Sequence, residues 1–163
     1  LGALGVCTLS PHDMFLHSAV HLFFGGEFDQ GLRDLFDMHR LATHFGAEPG
    51  FWGGLVARAV ALELTRPMFY ALRHASRTFG TPVPASVMVA AEAFAPSRPV
   101  LALMDALFTR ALVPPHPDCV ARFDGAAHFA LYVRGNWLRM PMVLLTRHLF
   151  HKAFVSPRTA EAA

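Results

Sequence analysis

Two histidines, three aspartates and an arginine crowd one short stretch of this chain. Asp13, His17 and His21 stand four residues apart, and Arg33, Asp34 and Asp37 follow closely. A His-x3-His pair on a helix can hold a metal when a third ligand approaches from elsewhere. An arginine fork can donate two hydrogen bonds to one phosphate. The strong metal-binding motif places a glutamate directly after the first histidine, and Ser18 occupies that position here. Two readings therefore stand side by side. One is a pair of histidines hydrogen-bonded to neighbouring helices, and the other is a metal-dependent hydrolase using His17, His21, Asp34 and Asp37.

The elements that must position these groups are two helices joined by a glycine corner. Ser10, Pro11 and Asp13 form a helix start: a hydroxyl cap, proline at the first helical position and an acid in the first turn. Gly25-Gly26 ends that helix. Four-residue spacing places Asp13, His17 and His21 on one strip, beside Phe15, Leu16, Ala19, Val20, Leu22 and Phe23. On the second helix, Arg33, Asp37, Arg40 and His44 share a polar sector, and apolar residues fill most of the rest. So broad an apolar surface predicts a central helix. Asp34 falls within the apolar arc, so it is expected to be a buried charge needing His17, His21 or an arginine as partner. Its loss should then cost folding more than loss of Asp37.

Composition sets the outer bounds. The 163 residues suffice for one domain with a real core. A 53% hydrophobic and 16% charged chain has an extensive interior, or hides some surface against another domain. No apolar run is long enough for a spanning helix, and no basic lead marks a signal peptide. Cys7 and Cys119 lie far apart without metal-ligand spacing and read as free thiols of a reducing cytoplasm. The chain opens on Leu1, and residues 1–9 read as a linker or strand remnant of an upstream domain.

After Gly46 helix punctuation recurs regularly. Glu48-Pro49-Gly50 opens a helix to about Leu64. Thr65 caps the next, with Phe69, Tyr70, Leu72, Ala75 and Phe79 inward and Arg66, Arg73 and Arg77 outward. Further helices are expected over 85–93, 100–112, 123–140 and 142–154. No strand alternation appears, so the fold class is all-α. The expected architecture is a compact domain of seven to eight short helices over 10–155, followed by a flexible tail at 156–163. From Pro115 onward six Lys/Arg face three acids, against eight and nine before it. Arg139, Arg147, His148, His151 and Lys152 form a candidate basic surface. It suits a phosphate-bearing ligand, plain solvent, or an anionic membrane, the last in keeping with a second functional reading, an independent helical interaction module that is membrane-peripheral through its basic C-terminal helix.

The run Leu9-Ser-Pro-His-Asp-Met-Phe-Leu-His17-Ser-Ala-Val-His21, then Gly31-Leu-Arg33-Asp34-Leu-Phe-Asp37-Met-His-Arg40-Leu and a Trp52 helix, resembles the C-terminal half of the uncharacterised bacterial nucleotidyltransferase family. Members are sometimes encoded beside polysaccharide or exosortase-type export systems. His21, Arg33 and Asp37 occupy matching positions, Met38 replaces the usual leucine, and the similarity reaches Arg139-Met140-Pro141. The resemblance implies nucleotidyl transfer, which needs a Gly-Ser turn and paired carboxylates holding Mg²⁺ against an NTP. No such strand-borne arrangement is visible here. The resemblance thus implies a helical, substrate-side portion whose Mg²⁺ and NTP sites lie in an upstream α/β catalytic domain, its main partner. Such a portion would not catalyse transfer alone. No nucleic acid is expected as a partner.

Overall fold

The computed structural model describes residues 7–114, 119, 123–139 and 144. Among them the chain is all-helical, with seven helices and no strand. They are α1 (Pro11–Gly25), α2 (Gly31–Phe45), α3 (Phe51–Ala61), α4 (Thr65–Phe79), α5 (Ala85–Glu92), α6 (Arg98–Ala111) and α7 (Asp124–Arg139). The helix expected over 142–154, apart from Leu144, and the tail at 156–163 lie outside the described residues.

α1 starts and stops as its sequence dictates. The Asp13 N–H donates to Ser10 Oγ at 3.2 Å, and the Ser10 hydroxyl donates to Asp13 Oδ2 at 2.8 Å. Pro11 follows the cap, and Gly26 closes the helix at φ 82, a left-handed conformation that glycine adopts without a side-chain clash. The expectation at Thr65 is corrected. Thr65 is the first residue of α4, Leu64 occupies the cap position, and no side chain caps this end. The preceding turn is instead closed by its backbone, the Leu64 N–H donating to Ala59 O at 2.8 Å with Glu63 at φ 57. A non-glycine residue in that region is strained. That turn forms the α3–α4 corner, where Leu62 and Leu64 enter the wall of a groove.

The hubs are α4 and α1, not α2. α4 packs on α1, α2, α3 and α5 and buries Pro67, Met68, Phe69, Tyr70, Ala71, Leu72, His74 and Ala75. α2 buries only Gly31, Leu35, Met38 and Ala42, and leaves Phe36 exposed at a surface groove. A helical wheel counts apolar residue types, whereas centrality depends on how many neighbours arrive. Phe15, Leu16, Leu22 and Phe23 of α1 complete this core with Phe108 of α6, whose ring stands edge-on to Phe23 at 4.9 Å.

α7 closes the bundle through a glycine contact with the end of α1. A Cβ on Gly135 would lie 2.7 Å from Gly25 O and 2.9 Å from Gly26 Cα. This close approach lets Arg134 donate from Nη1 to Phe23 O at 2.7 Å, satisfying a carbonyl at the negative end of α1. The guanidinium also lies over the rings of Phe24, Tyr70 and Phe108 at 5.5–5.9 Å. Burial holds its pKa below the usual arginine range. Gly135→Ala is expected to lower stability by about 2 kcal/mol, because backbone cannot yield as a flexible side chain does. Urea midpoints of wild type and variant check this, and an unchanged midpoint would mean that α7 does not seat on α1.

Candidate functional site

The site is built on the outward strip of α1. His17 and His21 are exposed, four residues apart, and form a ridge between two depressions. On one side is a groove of about 520 Å³ between α1, the α3–α4 corner and the end of α7. Leu16, Val20, Leu62 and Leu64 give it apolar walls, and Asp13, Arg58 and Arg139 join the histidines as its polar groups. Arg58 Nε donates to Asp13 Oδ1 at 2.7 Å, tying α3 to α1. Hydrogen bonds from Arg58 and then Ser10 hold the Asp13 carboxyl below its usual range. The groove's one acid is therefore matched by Arg58, which leaves Arg139 and the histidines to set its electrostatic character. Arg139 reaches it because α7 crosses at Gly25, whose Cβ position lies 3.3 Å from Arg139 Nη2.

On the other side of the ridge, His17, Ser18 and His21 face Asp34 and Asp37 of α2 across a cleft of about 170 Å³. Four of the six residues singled out in the sequence thus meet in one place, while Asp13 lies in the groove on the other side of the ridge. Their setting differs from the expectation. Asp34 is not a buried charge: its side chain keeps 32% exposure, and Asp37 is exposed too. The arc of α2 carrying Asp34 meets the polar strip of α1 at a solvent-reached cleft, not the core. Its partner is His21, with Nδ1 at 3.9 Å from Asp34 Oδ2, an ion pair when the imidazole is protonated and too long for a hydrogen bond.

Arg33 does not join them. It lines a separate groove of about 540 Å³ with Phe28, Phe36, Phe79 and Leu112. One residue along a helix turns the side chain by about 100°, which takes Arg33 off the face that Asp34 shares with α1. Of the candidate basic surface, Arg139 lies in the histidine groove, while Arg147, His148, His151 and Lys152 lie outside the described residues.

Metal chemistry finds no geometric support at this ridge. Among the described residues, no group of three or more His, Cys, Asp or Glu is placed to hold a metal ion.

Sequence reading missed two sets of residues. Arg58 passed unnoticed because nothing local pairs it with Asp13, 45 positions away. Arg73, expected outside, is only 17% exposed and grips Asp105 of α6 through Nε and Nη2 at 2.9 and 2.7 Å. Arg77 adds a contact to Asp105 at 2.8 Å, and buried His74 lies 3.6 Å from it. The signal was available, because Asp105 is the lone acid of an otherwise apolar and basic helix.

Fold and site together define an all-helical domain with a basic-lined groove and an acidic cleft on either side of one histidine ridge. Residues 2–80 match the model of the family described as uncharacterised nucleotidyltransferase, and through that stretch the chain is similar to it. The match covers α1 to α4, and with them His17, His21, Arg33, Asp34, Asp37 and Arg58. No curated protein and no solved structure matched the chain.

Proposed function

We propose that this helical domain forms the substrate side of a nucleotidyltransferase-like protein, receiving the phosphates of a nucleotide in the groove beside His17 and His21. The carboxylates that hold Mg²⁺ would come from an α/β catalytic domain elsewhere in the protein. One observation carries this reading. The family match covers both histidines and Arg58, and the fold brings Arg139 from outside the match into the same groove. An arginine with two exposed imidazoles beside apolar walls suits a phosphate attached to a flat heterocycle. Arg33 has no part in it, because it lines another groove.

Calorimetry with Mg-ATP and Mg-CTP tests the proposal. The 163-residue chain should bind weakly, since among the described residues no group of three or more His, Cys, Asp or Glu is placed to hold an ion. Arg139→Ala should reduce that affinity about fivefold to tenfold, the worth of one solvent-reached, charge-assisted contact. Arg33→Ala should leave it unchanged. Equal affinity in the Arg139 variant would remove the groove from the reading, and tight binding by the chain alone would overturn the separate catalytic domain.

A further inference from the structure

α7 is apolar on two faces. Ala127 and Leu131 turn inward, and among the described elements the helix packs on α6 and α1. Ala126, Phe129, Val133 and Trp137 recur at spacings of three and four, which places them on a second face. Phe129 is 63% exposed and Trp137 60%, and Leu138 beside them is 50% exposed. Single exposed apolar residues are ordinary, but an aromatic stripe two turns long on one helix needs a partner.

The charge pattern of the same stretch says what kind. Residues 125–160 contain five Lys/Arg and no acid. One of the five, Arg134, is tied inward to Phe23 O and another, Arg139, lines the histidine groove, while Arg147, Lys152 and Arg158 follow the stripe in the chain. A partner for this stretch must present negative charge at the edge of an apolar phase. That is the chemistry of an anionic bilayer surface, where tryptophan and phenylalanine sit at the boundary and Lys/Arg meet the headgroups.

We infer that the Phe129–Trp137 face of α7 docks the protein on an anionic lipid surface. The helix lies on the bilayer and does not cross it. Its 16 residues extend about 24 Å, short of a hydrocarbon core of about 30 Å. Among the described residues, no helix is long and apolar enough to span a membrane. The inference stands apart from the nucleotide reading, because Phe129 and Trp137 are not among the residues lining the groove.

Co-sedimentation with lipid vesicles tests it. The chain should pellet with vesicles containing phosphatidylglycerol, be released by high salt, and stay in solution with phosphatidylcholine alone. The double variant Phe129→Ser, Trp137→Ser should lower the partition by at least about tenfold, with helicity by circular dichroism and Tm retained. Failure of the folded wild type to pellet with phosphatidylglycerol vesicles would overturn the inference, as would undiminished binding by the folded double variant. A concentration-dependent dimer dissolved by that variant, without vesicle binding, would reassign the face to a second copy of the chain.

Discussion

Lowering the pH from 7 to 4 should cost the protein about 3 kcal/mol through His74 alone, the free energy equivalent of its pKa depression. His74 is 3% exposed, its ring lies against Phe23 and Phe108, and its Nε2 has no hydrogen-bond partner. Burial pushes its pKa down from 6.5 to about 4, and the attraction of Asp105 only partly offsets that. The sign follows from the two states. Above pH 6.5 the imidazole is neutral in both, so it adds no pH dependence. Between 6.5 and about 4 the unfolded chain takes up a proton that the native chain refuses, so stability falls with pH. Below that window both states are protonated and the loss from His74 stops growing. Urea midpoints at pH 7 and 4.5 should therefore separate widely for wild type and much less for His74→Phe. Parallel behaviour of the two proteins would mean that the native imidazole titrates normally.

Asp105→Ala should be about as damaging, with a loss of about 3 kcal/mol, because it strands a largely buried arginine rather than a surface one. Arg73 and Asp105 are both less than one-fifth exposed, and the carboxylate also receives Arg77. Burial pushes the Asp105 carboxyl up, but the hydrogen bonds from Arg73 and Arg77 outweigh it and hold the group below the usual range. Its contribution is thus fully present above pH 3.8 and is lost as pH falls through the lower native value. Arg77 is half exposed, so Arg77→Ala should cost well under 1 kcal/mol. Asp105→Asn should resemble the alanine variant, since an amide cannot neutralise Arg73. Thermal or urea unfolding of the set would decide. Asp105→Ala no worse than Arg77→Ala would show that the cluster contributes no more than a surface ion pair.

The all-helical class was legible because helix signals are local. Ser10, Pro11 and Gly25-Gly26 bound α1 through contacts within a few residues, and four-residue spacing alone aligned Asp13, His17 and His21. The same logic flagged Asp34 and Asp37, which do face the histidines. Which side of a helix meets solvent is not local. Asp34 looked buried because its neighbours on the wheel are apolar, yet that arc opens on the polar strip of α1. Arg73 looked exposed because it shares a face with Arg66 and Arg77, yet α6 delivers Asp105 to it from 32 positions away. The groove's character was the least legible part. Arg139 arrives only because Gly25, Gly26 and Gly135 let two backbones approach, and Arg134 reaches the Phe23 carbonyl across 111 positions of chain. Periodicity determines which residues share a face, whereas the crossing of helices distant in sequence determines what that face meets, and a crossing leaves no repeat to be read in either helix alone.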